Sequence, residues 1–148
     1  MGKYKKITIF KNHYRFLSNF AESGIFHQGE YYRTAEHLYQ ALKTDNPSDK
    51  YQIRKTPFPD KAKRIGQEVD LRPDWEEVKD MIMLLVVMAK FKQNSHLAKE
   101  LKATGNAILI EGNYWHDNYW GRCTCPKCKD VQAHNMLGRI LMRVRRTL

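Results

Sequence analysis

The segment RPDWEEVKDMIMLLVVMAKFKQN, residues 72–94, constrains this chain more than any other. Its charged ends bracket MIMLLVVMA, which is apolar on nearly every side of a helix. Pro73 or Asp74 starts that helix, and Glu76 and Glu77 occupy its first turn, where the helix dipole favours acids. A helix of this kind must be covered, and its apolar run is far too short to span a bilayer. The other elements therefore have to wrap it, which predicts a central buried helix in a globular domain.

The remaining elements are short. KITIF, residues 6–10, reads as a strand. IFHQGEYY reads as a hairpin, or at least a tight turn using Gly29, at Gln28-Gly29. Thr34 can cap a helix over TAEHLYQALK. Short helices are expected over 50–54 and 59–65, the second stopping at Gly66. SHLAKELKATG predicts another helix, capped by Ser95 and stopped by Gly105, and AILIE a short strand. HNMLGRILMRVRRTL places Met136, Leu137, Ile140, Leu141, Val144 and Leu148 at helical spacing behind a capping Asn135. The sum is an α+β fold: one predominantly helical domain over 1–148 with a small antiparallel sheet. At 148 residues a single domain can bury a real core without disulfides.

The net charge is +10, so polyanions are the expected partners: nucleic acid, nucleotides or phosphorylated metabolites. MGKYKKITIF starts basic but carries no apolar stretch of leader length, so a cytoplasmic protein with no membrane association is expected.

TAEHLYQALK, residues 34–43, mixes apolar and polar positions. At about 100° per residue, Ala35, Leu38 and Leu42 share one face. Glu36, Gln40 and Lys43 fall on another, with Tyr39 at its edge. Two readings follow. The stripe is a solvated face, or it lines a pocket whose walls are the neighbouring aromatics.

Read in order, FLSNF, TAEHLYQALK, FPDKAKRIG, DWEEVKDMIM with AKFKQN, LKATGNAILIEGN, DNYWG and HNMLGRILMRVR resemble the YbiA/NADAR family over nearly the whole chain. The resemblance implies an α+β domain that cleaves N-glycosidic bonds. Substrates in that family are phosphorylated intermediates of riboflavin biosynthesis or ADP-ribose on guanine bases. Carried over residue by residue, it implies Glu36 as the catalytic acid, with Lys43 and Asp117 as further catalytic groups. Asn19, Phe20, Tyr39, Gln40, Trp75, Lys90, Trp120 and Gly121 would bind substrate. A lysine forming a Schiff base with the opened ribose is proposed for some members. Lys43 matches it best, with Lys90 second. Phe20 and Trp120 would close a ribose pocket. No cofactor is required for such chemistry.

RCTCPKCKDVQA replaces the Gly-rich connection that the family often carries between its WG and N-x-LG pieces. Cys123, Cys125 and Cys128, with His134 after them, offer three thiolates and an imidazole, a donor set that suits a structural zinc. A loop of reduced thiols is the other reading. The basic charge, the interleaved aromatics and this loop also support a different class of function, a nucleic-acid-binding module. Salt-dependent binding would mark it.

Overall fold

The computed structural model describes residues 5–148, so the start of the basic KYKK run lies outside the described residues. The chain divides into two compact units, one of Asn19–Ser95 and one joining the segment up to Ser18 with His96–Leu148.

Asn19–Ser95 opens with a hairpin. Strands β2 (Glu22–His27) and β3 (Glu30–Thr34) pair antiparallel. Gln28 and Gly29 both take positive φ, 51° and 81°, the paired left-handed geometry that lets a two-residue turn match the strand twist. Thr34 leaves the strand and caps α1 (Ala35–Ala41), its hydroxyl accepting from the His37 amide. Helices α2 (Pro47–Lys55), α3 (Pro59–Gly66) and α4 (Trp75–Gln93) follow. Both α2 and α3 begin on a proline, whose missing N–H costs nothing at a helix start.

The enclosed helix is α1, not α4. Every residue of α1 is buried, because α2, α3, α4 and the hairpin all pack on it. Helix α4 buries Trp75, Ile82, Met83, Val86, Val87, Lys90 and Phe91 but leaves Met81 71% and Leu85 44% exposed. The expectation of a wholly buried α4 is therefore corrected: its apolar surface runs further round than its partners reach. Each fully buried large aliphatic here, such as Ile25, Leu38 or Ile53, contributes about 1.5–3 kcal/mol.

In the other unit, β1 (Lys6–Ile7) pairs parallel with β4 (Ile108–Leu109). Strand β5 (Gly112–Asn113) pairs parallel with β6 (Arg122–Cys123). The expected strand over 6–10 is thus two residues long, and among the described residues three two-stranded ladders form, of which only the hairpin is antiparallel. Helix α5 (Ser95–Ala103) ends before Gly105, whose φ of +63° reverses the chain.

Helix α6 (Met136–Thr147) packs on β4. Asn135 precedes it in a left-handed conformation and makes no side-chain cap. Its amide instead donates to the Leu109 carbonyl at 2.9 Å and accepts from the Glu111 amide at 3.0 Å. The expected cap is in fact a clamp that holds the start of α6 to β4. Gly138 lets that helix approach, since a Cβ there would collide with the Leu109 carbonyl. Among the described residues no helix is long and apolar enough to cross a membrane.

Candidate active site and a cysteine–histidine cluster

Folding α1 into the middle of its unit turns the polar stripe into buried chemistry. Glu36 is 7% exposed and Gln40 3%. Gln40 Nε2 donates to Glu36 Oε1 at 2.8 Å, one helical turn apart. Gly66 makes room for this pair: a Cβ there would run into Gln40 Oε1 and sit 2.7 Å from its Cδ. The solvated-face reading of the stripe is excluded by this burial.

Asn19 lies at the head of α1, its carbonyl accepting from the Glu36 amide at 3.0 Å. Its side-chain amide donates to Met83 Sδ at 3.4 Å. Four buried side-chain polar atoms lack a hydrogen-bond partner among the described residues, and two of them are Asn19 Oδ1 and Gln40 Oε1. An orphaned buried acceptor costs about 1–3 kcal/mol unless something satisfies it. A bound molecule carrying hydroxyl or amino groups would do so.

Lys43 lies two residues past the end of α1, tied back by its amide to the Gln40 carbonyl at 3.2 Å. Its carbonyl accepts from the Arg72 amide at 2.7 Å, which joins it to the approach to α4. The ammonium sits 5.7 Å from the centroid of the Tyr39 ring and 6.0 Å from that of Trp75. Those two rings meet edge to face at 5.3 Å and are both buried. Partial burial lowers the Lys43 pKa. The Glu36 charge opposes this, and Lys63 adds to the lowering. Trp75 is accordingly both a core anchor at the start of α4 and a wall beside Lys43. Phe20 is half-buried.

His37 follows Glu36 but belongs to the core. Its Nε2 lies 2.7 Å from the Thr56 carbonyl, which can only accept, so Nε2 carries the proton. Nδ1 then accepts from the Thr34 hydroxyl at 2.7 Å. Both ring nitrogens are satisfied, and desolvation lowers the pKa.

Lys90 is 1% exposed, with its ammonium 5.2 Å from the centroid of the Phe91 ring. Desolvation lowers its pKa from 10.5 to about 7. Between those values the unfolded chain holds a proton that the folded chain has released, so Lys90 makes stability rise with pH across that window. The slope it adds is at most about 1.4 kcal/mol per pH unit. Lys90→Met removes it. The stability of the variant relative to the parent, measured by urea unfolding, should fall steadily as pH rises from about 7 to about 10. A difference independent of pH would show that Lys90 stays protonated in the fold.

The other predicted residues lie in the second unit. Asp117 forms a turn: one carboxylate oxygen accepts from the amides of Tyr119 at 3.1 Å and Trp120 at 2.9 Å. Asn113, buried, braces the same turn by donating to the Asp117 carbonyl at 2.8 Å and accepting from its amide at 3.2 Å. Trp120 meets Tyr119 edge to face at 4.9 Å. Gly121 is a close-approach position, where a Cβ would strike both the carboxylate and the carbonyl of Glu111.

The three cysteines are brought together, but the imidazole beside them is that of His116. Nδ1 of His116 lies 3.3 Å from Cys125 Sγ, 3.4 Å from Cys128 Sγ and 3.8 Å from Cys123 Sγ. All four donor atoms fall within 4.8 Å of one another. His134 is placed elsewhere: its ring lies beside Tyr119 at 6.0 Å, and its amide donates to the Asn118 carbonyl. The expectation that His134 joins the thiols is corrected on this geometry. His116 stands upstream of the cysteines, in the loop between the paired strands β5 and β6.

Fold and site together define an α+β domain that buries a carboxylate–amide pair on a short helix, beside a lysine flanked by two aromatic rings. The model of the NADAR domain family matches residues 3–148. The chain is 37% identical to N-glycosidase YbiA of Escherichia coli over 134 residues, covering 89% of this chain and 80% of that protein. It is 36% identical to an N-glycosidase of Nostoc punctiforme over 137 residues, covering 89% and 84%. A riboflavin biosynthesis protein of Vibrio vulnificus is 35% identical over 135 residues, 90% of this chain but 35% of that longer protein. The NMR structure of Escherichia coli YbiA superposes with a TM-score of 0.82 at 32% identity, covering 99% of this chain and 86% of that one. The chain belongs to the NADAR domain family.

Proposed function

We propose that the protein is an N-glycosidase acting on a phosphorylated ribosyl compound, either ADP-ribose joined to a guanine base or a ribosylaminopyrimidine phosphate of riboflavin biosynthesis. The observation that carries this reading is the buried Glu36 carboxylate with the unpartnered acceptors Asn19 Oδ1 and Gln40 Oε1 on neighbouring residues. Ribose hydroxyls are the donors such acceptors need. The names of the relatives, N-glycosidase and riboflavin biosynthesis protein, support the reaction and the substrate class. The net charge of +10 favours a phosphorylated ligand, and such ligands are found in the cytoplasm.

Cleavage of a C1–N bond builds positive charge on C1 and the ring oxygen of the ribose. A carboxylate already desolvated next to that carbon stabilises the charge without reorganising water. Lys43 adds to C1 as the free amine while the C1–N bond breaks, and the base leaves with a proton. The ribose ring opens to an imine on Lys43. Water then adds to C1, releases the sugar and restores the amine. Glu36 takes a proton from the attacking amine and gives it to the departing base, then takes one from water and passes it to the Lys43 nitrogen as the sugar leaves. Lys43 suits this role better than Lys90, because Lys90 is sealed at 1% exposure and Lys43 is not.

The test is incubation of the purified protein with ADP-ribosylated guanosine and, separately, with the ribosylaminopyrimidine phosphate. Chromatography should show free base and free sugar phosphate from one of them in equal amounts. Both substrates remaining intact would overturn the reading.

A further inference from the structure

We propose that His116, Cys123, Cys125 and Cys128 form a closed, structural zinc site that pins the aromatic β5–β6 loop to the cysteine-rich turn that follows β6.

The donors have the spacing that tetrahedral zinc requires. With Zn–S of about 2.3 Å and Zn–N of about 2.0 Å, the ligand sulfurs should lie about 3.5 Å from the ligand nitrogen. The His116 Nδ1 to Sγ distances run from 3.3 to 3.8 Å. The three sulfurs and the nitrogen all lie within 4.8 Å of one another, so they converge on one point.

The local backbone is shaped to present these atoms. Cys125 and Cys128 bracket a single 3-10 turn, Pro126–Cys128, closed by the Cys128 amide donating to the Cys125 carbonyl at 3.1 Å. The Cys125 amide points at Cys123 Sγ at 3.5 Å, and the Cys123 amide is held by Asn118 Oδ1 at 2.9 Å. Amides directed at sulfur stabilise thiolate charge. His116 takes a φ of +70°, a conformation uncommon outside glycine, and so turns its imidazole back to the thiols. A strained residue at a convergence of ligands is where a functional constraint is expected.

Three thiolates and a neutral imidazole leave a net charge of −1 on a bound zinc. The exposed Arg122, Lys127 and Lys129 in the same segment offset it. Four protein ligands fill the tetrahedron, so the ion has no open position for substrate or water and does not take part in catalysis. Its work is local. It ties His116, within the run of Tyr114, Trp115, Asp117 and Trp120, to Cys123 on β6 and to the turn beyond it.

The test uses the full chain. Purified protein should carry about one zinc per chain by elemental analysis. After chelation and cobalt(II) addition it should show thiolate-to-cobalt charge transfer and intense tetrahedral d–d bands. His116→Ala should bind the ion at least about ten-fold more weakly and alter the cobalt spectrum, whereas His134→Ala should match the parent in both. Cys125→Ser is the second arm and should weaken binding as His116→Ala does. Zinc below about half an equivalent, with no tetrahedral cobalt spectrum, would overturn the proposal. So would loss of metal in His134→Ala but not in His116→Ala. If His116→Ala fails to fold, His116→Cys replaces it: a shift to a four-thiolate cobalt spectrum supports the assignment, and an unchanged spectrum refutes it.

Discussion

Glu36→Gln should lower turnover by about a hundred- to ten-thousand-fold while leaving the protein folded. The argument rests on what the substitution keeps. Gln40 Nε2 donates to Glu36 Oε1 at 2.8 Å, and a glutamine at position 36 can still accept that bond through its own Oε1. The residue is 7% exposed, so replacing a buried carboxylate by a neutral group of the same shape removes a desolvated charge. The thermal midpoint should therefore hold or rise, since burying charge is costly. Catalysis responds in the opposite sense, because a neutral amide neither stabilises developing positive charge nor accepts a proton. Rates on the substrate that the parent cleaves, read beside melting curves, separate the two effects. A variant with parental turnover would remove Glu36 from the reaction.

The stripe that carries Glu36 was visible as a pattern, but its environment was not. Spacing alone puts Glu36 and Gln40 on one side of a helix. It does not reveal that three helices and a hairpin enclose α1, which is a tertiary fact. Local signals were more legible. The Gln28-Gly29 turn and the Thr34 cap follow from backbone rules that act within four residues, and both stand in the structure. Asn135 shows how such a rule fails. It has the right chemistry and position for a cap, yet its side chain serves Leu109 and Glu111, more than twenty residues away in sequence. The parallel ladders were unreadable for a related reason. Two-residue strands carry no periodicity, and Lys6 pairs with Ile108, about a hundred residues further along the chain. Resemblance supplied what spacing could not, because it drew Asn19 and Trp75 to the neighbourhood of α1 through LSNF and PDW. His116 lay beyond both kinds of signal. A histidine downstream of the cysteines matches the spacing of a metal motif, while the folded loop returns one from upstream.

Lys43→Met should abolish turnover, and Lys43→Arg should fail to restore it. Arginine keeps the positive charge and can stand near the Tyr39 and Trp75 rings, but it holds its proton and cannot add to a sugar carbon. If Lys43 served only as a cation for phosphates, arginine would rescue most of the activity. The contrast between the two variants therefore reads the role and not merely the presence of the residue. The pH profile gives a second reading. Desolvation lowers the Lys43 pKa, against the opposing charge of Glu36, so the free amine becomes available at lower pH than for an exposed lysine. Activity should rise with pH as the ammonium loses its proton, since the amine is the competent form. A cationic role predicts a fall over the same range. Borohydride added during turnover should reduce the imine to a stable amine and leave a sugar-sized mass increment on the peptide containing Lys43. An adduct on Lys90 instead would transfer the nucleophile's role to the sealed lysine and require α4 to open during the reaction.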